Sequence, residues 1–156
     1  MKGKLLLRTA LAVTATAVAG ALATDARSSW YQRLKKPSWQ PPPQAFGLVW
    51  TPLHVLITYA GARALSRGDQ EESRAFWSAL AGNLVLNAAW PALFFRARNP
   101  RLALAEILVL NASNAMLVRR GWSADRRAGL FLLPYAGWTV FATALNTAIA
   151  RRNRDG

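Results

Sequence analysis

Four stretches of this chain carry no charged side chain: Thr9–Thr24, Pro37–Ala62, Ala75–Phe95 and Ala128–Ala150. A fifth, Leu102–Val118, is interrupted only by Glu106. An α-helix needs about 20 predominantly apolar residues to cross the hydrocarbon core of a bilayer. In lipid every backbone N–H and C=O must be satisfied within the protein, and a helix does this from its own residues. The expected fold is all-α, a five-helix transmembrane bundle formed by one domain over residues 1–156. Its helices are predicted at about 5–25, 45–63, 75–96, 101–119 and 127–151. Leu65–Arg74, Arg96–Arg101 and Arg119–Arg127 read as polar turns between them. The first run has a second reading, because Lys2, Lys4 and Arg8 before it and Ala21-Leu22-Ala23 at its end resemble a secretory signal. Ala12, Thr16, Ala19, Gly20 and Ala23 instead give it a face for close helix contact, and four further spans follow, so a retained helix is expected.

The 20 Lys+Arg outnumber the 7 Asp+Glu and leave a net charge of +13. Such a balance can mark a nucleic-acid binder, but here the cations are not interleaved with aromatics along one face. They sit in short clusters between the apolar runs, as the loops of a multi-pass membrane protein do. Nucleic acid is therefore not an expected partner. The cations divide evenly between the two sides of the bundle, so the positive-inside bias assigns neither orientation nor membrane. The absence of cysteine removes disulfides, thiolate metal sites and catalytic thiols. With one histidine, no paired metal spacing and no motif around a Ser/His/Asp set, neither a metal site nor hydrolytic chemistry is expected.

Between the first two runs lies a segment rich in tryptophan and proline, with Trp30-Tyr31, Lys36-Pro37-Ser38-Trp39, Pro41-Pro42-Pro43 and then Phe46 to Trp50. Prolines fix φ and remove backbone donors, so Pro37–Pro43 cannot be helix interior. A stiff, partly extended loop follows, either an interhelical connector with tryptophans at the membrane–water boundary or a lid over a ligand cavity. Inside the spans, polar and aromatic residues recur at helical spacing. Asn83, Asn87, Trp90 and Phe94 share one face; so do Trp138, Ala142, Leu145 and Asn146, and Trp50, Leu53, His54, Ile57 and Gly61. Glu106, Leu110 and Ser113 form a further polar stripe. Helices that each turn a Trp and an amide or imidazole inward can enclose a flat, mostly apolar ligand. The plainer reading is that the asparagines bond one helix to another, that Trp77 and Trp122 are belt residues, and that His54 is a packing residue.

These motifs resemble those of the TspO/MBR family, the tryptophan-rich sensory proteins, translocator proteins and peripheral-type benzodiazepine receptors. The residues that carry the resemblance are Trp30-Tyr31-x-x-Leu34-x-Lys36-Pro37-Ser38-Trp39-x-Pro41-Pro42 with Val49-Trp50, then Leu86-Asn87-x-x-Trp90-Pro91-x-x-Phe94-Phe95, then Leu133-Pro134-Tyr135-x-x-Trp138-x-x-Phe141-Ala142-Thr143-x-Leu145-Asn146. The resemblance implies five transmembrane helices, commonly a homodimer, with the first loop folded over a cavity. It implies a tetrapyrrole ligand such as protoporphyrin IX or haem, with sterols or lipids as further possibilities and no obligatory cofactor. The implied ligand-binding residues are Trp39, Trp50, Asn87, Trp90, Trp138, Ala142 and Leu145. His54 joins them from the face it shares with Trp50, although the family commonly has Tyr at its position. The sterol pattern L/V-x-Y-x-K/R lacks its Tyr on the last run, where Leu145-Asn146 is followed by Thr147. The leading function implied is a membrane sensor or regulator without ordinary turnover. The alternatives are light-dependent porphyrin degradation with Trp50 and Trp138 as its photochemical residues, and porphyrin or sterol transport.

Overall fold

The computed structural model describes residues 3–155; Met1, Lys2 and Gly156, the ends of the expected domain, lie outside the described residues. Five helices are long and apolar enough to cross a membrane. In chain order they are α1 (Gly3–Ala23), α3 (Pro43–Arg67), α4 (Gln70–Pro91, prolonged by a π-helical turn Ala92–Arg96), α5 (Pro100–Ala124) and α6 (Arg126–Arg152). A short helix, α2 (Ser29–Arg33), lies in the loop after α1. No strand occurs among the described residues. Around the bundle the order is α1, α3, α6, α5, α4 and back to α1. The outward faces are apolar on every span, with Leu11, Leu48, Val55, Val85, Leu108 and Val140 more than half exposed. Such a surface suits lipid, and the chain is a multi-pass membrane protein.

The helix ends differ from the sequence expectation, each for a local reason. Pro43 occupies the first turn of α3, where a missing N–H costs nothing, so the helix starts earlier than expected. It also continues past residue 63 through the polar Arg63–Arg67. Asp69 opens α4 with a capping box: Glu72 N–H donates to Asp69 Oδ1 at 2.8 Å and Asp69 N–H to Glu72 Oε2 at 3.1 Å. The expected turn Leu65–Arg74 thus shrinks to Gly68–Asp69. Arg119–Ala124 are helical, and Asp125 ends α5 while its carboxylate caps α6 through the N–H groups of Arg127 and Ala128. That corner is tight. A Cβ on Gly129 would lie 2.8 Å from Trp122 Cε3, and one on Gly121 would lie 3.1 Å from Leu132 Cδ1.

The first span packs as a full member of the bundle. Thr9, Val13 and Thr16 are buried, and Thr9 Oγ1 reaches the Thr58 carbonyl at 3.1 Å. The interior divides into two apolar clusters. One fills the half nearer Asp125, around Ile57, Phe76, Leu80, Leu117, Leu132 and Tyr135. The other, Phe94, Phe95, Ala103, Leu145 and Ile149, lies under the loop after α1, which adds Trp30, Tyr31 and Leu34 to it.

Candidate functional site

The loop Asp25–Pro42, the expected lid, is seated on the bundle. Ser28 caps α2 by accepting from Tyr31 N–H, which sets Trp30 and Tyr31 at adjacent positions of one turn. Their rings meet Phe94 edge-on at 5.7 and 6.2 Å, and Tyr31 also meets Phe95 at 5.2 Å. Lys36 Nζ donates to the Tyr31 carbonyl at 2.6 Å and sits 4.4 Å from the Tyr31 ring centre. Burial holds the Lys36 ammonium below its ordinary range and pushes the Tyr31 phenol up, the latter partly offset by a hydrogen bond from Gln40. The far end is tied to α6 by a reciprocal pair: Lys35 N–H donates to Asn153 Oδ1 and Asn153 Nδ2 donates to the Lys35 carbonyl, both at 3.0 Å. The loop is thus anchored over the Phe94–Phe95 cluster, an arrangement that both sequence readings, connector and lid, allow.

Beneath it, α3 and α6 run antiparallel with a ladder of aromatic contacts along their seam. Phe46 meets Trp138 at 5.9 Å, Trp50 meets Tyr135 at 6.2 Å, and Tyr59 meets Phe131 at 5.3 Å. At the lid end Trp39 rests against Phe141 at 6.0 Å, and Phe141 is 5.2 Å from Trp138. Trp39 keeps 48% of its surface exposed, so it covers the seam without being locked into it. Trp50 and Trp138 are half-buried along the seam, Ala142 is half-buried one turn beyond Trp138, and Leu145 is buried in the cluster below the lid.

The amide residues on α4 are engaged with other helices. Trp90 Nε1 donates to Asn146 Oδ1 at 3.0 Å, and Asn146 Nδ2 donates to the Pro100 carbonyl at 2.9 Å. Asn87 Nδ2 donates to the Tyr135 hydroxyl at 2.8 Å, and that hydroxyl donates to Asn83 Oδ1 at 2.9 Å. Asn83 Nδ2 continues to Asn114 Oδ1 at 2.6 Å, and Asn114 Nδ2 to Thr139 Oγ1 at 2.7 Å. Asn83, Asn114, Tyr135 and Thr139 are each at most 2% exposed. This chain of bonds joins α4, α5 and α6, and the plain interhelical reading of the asparagines describes it. The spacing of Tyr135, Asn114 and Thr139 carries no signal of this role, since a lone Tyr or Thr in an apolar run has no local pattern. Both carboxylate oxygens of Glu106 are buried with no partner among the described residues.

The expected site residues therefore do not all meet. Trp39, Trp50 and Trp138 share the α3–α6 seam, with Ala142 one turn beyond Trp138 on α6, and Trp90 and Leu145 lie together under the lid. Asn87 points at Tyr135. His54 stacks on Trp50, with ring centres 5.3 Å apart, and lines a cleft between α1 and α3 on the lipid-facing side.

The sequence profile of the TspO/MBR family matches residues 9–152. The tryptophan-rich sensory protein of Cereibacter sphaeroides is 33% identical over 148 residues, covering 92% of each chain. The tryptophan-rich protein TspO of Archaeoglobus fulgidus is 36% identical over 145 residues, 92% of this chain and 94% of its own. The human translocator protein is 33% identical over 126 residues, 80% of this chain and 75% of its own.

Proposed function

Because the chain belongs to the TspO/MBR family, we propose that it is a membrane sensor or regulator whose ligand is a tetrapyrrole held in the α3–α6 seam beneath the lid. The observation that carries this reading is the set of rings at the lid end of the seam: Trp39, Phe46, Trp138 and Phe141 touch one another edge-on or tilted rather than through a hydrogen-bonded lock. Three such ring pairs are worth about 1.5–4.5 kcal/mol together at about 0.5–1.5 kcal/mol each. A macrocycle burying on the order of 400 Å² of apolar surface there would contribute about 10 kcal/mol. Association entropy and ordering take back a large part of that figure, but opening the seam does not prevent binding. The Asn153 tie lets the lid stay anchored while Trp39 moves. A homodimer is part of the same proposal, as is a sterol or lipid as an occupant competing for the seam.

Light-driven porphyrin loss is the second reading, favoured by the contact of Trp50 with Tyr135 at 6.2 Å and the position of Trp138 one turn further along the same helix. One experiment tests both. Protoporphyrin IX is titrated into full-length protein in nanodiscs, following tryptophan fluorescence and porphyrin absorbance in darkness and under illumination. The expected result is saturable binding that weakens modestly in Trp138→Phe and is lost in the double Trp50→Ala, Trp138→Ala variant. Unchanged affinity in the double variant removes the seam as the site. A band that shifts and stays constant in light supports binding alone, whereas a decay that needs both light and Trp50 or Trp138 supports degradation.

A further inference from the structure

The cleft that His54 lines has a volume of about 490 Å³ and opens between α1 and α3 toward the lipid. Its two walls differ. The α1 wall is small and mostly apolar, with Ala10 and Val13 beside the hydroxyl of Thr14; the α3 wall carries His54, Thr58 and Tyr59. No charged residue lines it among the described residues. His54 and Thr58 are four residues apart and share a helix face. No hydrogen bond joins the His54 ring, the Thr58 hydroxyl or the Thr14 hydroxyl to another described residue, while the Thr51 hydroxyl at the cleft's edge is already spent on the Gly47 carbonyl. The cleft also sits at mid-depth: Val13 is central in the 21-residue α1 and His54 is close to the middle of the 25-residue α3. An unpartnered imidazole facing hydrocarbon is costly and marks a site.

We propose that this cleft is a second ligand site, for a neutral flat ring bearing carbonyl acceptors and an isoprenoid tail, the class of the membrane quinones. The lining selects that chemistry. Phospholipid phosphates need cations and stay at the interface, yet the cleft is uncharged and central. A sterol carries its single hydroxyl at the interface, too far out to meet His54. A quinone ring lies within the bilayer core and has carbonyl oxygens that accept from an imidazole N–H and a threonine O–H one turn apart. The small residues of α1 leave room for a flat ring, and a volume of this size is within the range of small-molecule sites. Trp50, stacked behind His54, fixes the ring plane of the imidazole.

His54 is the single histidine of the chain, so protein labelled with ¹⁵N-histidine gives one imidazole pair of signals to follow. Full-length protein in nanodiscs is titrated with a decyl-substituted benzoquinone, and in parallel with the same alkyl tail ending in a methyl group. The expected result is a saturable His54 shift with the quinone and none with the tail alone. Ala10→Leu, which fills the cleft, and Thr58→Val, which keeps shape and removes the hydroxyl, should each raise the apparent Kd by about tenfold. Presaturation with protoporphyrin IX should leave the quinone shift intact, and both variants should bind the porphyrin as the wild type does. The proposal is overturned if no shift occurs, if the tail alone reproduces it, or if neither variant weakens it. Displacement of the quinone by protoporphyrin would also overturn it, by assigning the cleft to the porphyrin, while failure of porphyrin binding alone would leave it standing.

Discussion

The Tyr135 hydroxyl is the joint of the polar chain that holds α4 to α6, and Tyr135→Phe tests that directly. Phenylalanine keeps the ring, which is 1% exposed, and its edge contact with Trp50. The substitution removes the 2.8 Å bond from Asn87 and the 2.9 Å bond to Asn83. Interhelical side-chain bonds in membrane proteins average about 0.6 kcal/mol and reach about 1.7 kcal/mol, because the unfolded helices also find partners in the bilayer. Two of them give roughly 1–3 kcal/mol. The orphaned Asn83 oxygen favours the upper half of that range, since Asn83 is 0% exposed and a buried unsatisfied group costs about 1–3 kcal/mol. The expected loss is therefore about 2 kcal/mol, measured by equilibrium unfolding in mixed micelles or by steric trapping in bicelles. A cycle with Asn83→Ala should show coupling of about 1 kcal/mol. A loss below about 0.5 kcal/mol, or two strictly additive variants, would refute the view that these bonds couple the helices.

Ala142→Thr places a branched side chain beside Trp138 on the seam, and should weaken protoporphyrin binding by about 1–3 kcal/mol in a fluorescence titration while leaving the melting temperature close to wild type. Gly129→Ala forces a Cβ against Trp122, whose Cα would be 3.0 Å away, and should cost about 1–3 kcal/mol in the same unfolding assay. Asp125 is held below the ordinary carboxylate range, first by its hydrogen bonds with Arg63 and then by the N–H groups of Ala128 and Arg127. A depressed carboxyl contributes stability that is full above its unfolded pKa and disappears as pH falls through the folded one. Wild type should thus lose stability below about pH 4, and Asp125→Asn, which still can cap α6, should show a flatter profile in that window. Equal slopes for the two proteins would remove Asp125 from the acid response.

How far the sequence reaches is clearest where structure and expectation part. Hydrocarbon-spanning length is a property of a segment by itself, so the five helices, the all-α class and the membrane location were legible from uncharged runs alone. The lid was legible as stiff because proline acts on its own backbone and its neighbour's. Helix ends were not, because caps override polarity: Arg119–Ala124 look like a turn but stay helical until the Asp125 carboxylate takes over the next helix. Partner choice was not legible either. Spacing put Asn83, Asn87 and Trp90 on one face, but which groups meet them depends on how α5 and α6 are rotated and how deep each sits. Only that tertiary arrangement set Asn87 on Tyr135 and Trp90 on Asn146. The same rotation set the Trp50 ring against Tyr135 of α6 and placed His54, one turn further along α3, in the cleft with α1 rather than in the expected interior position. Local chemistry decides that a segment is a helix in lipid; the mutual rotation of helices decides what its polar groups can do.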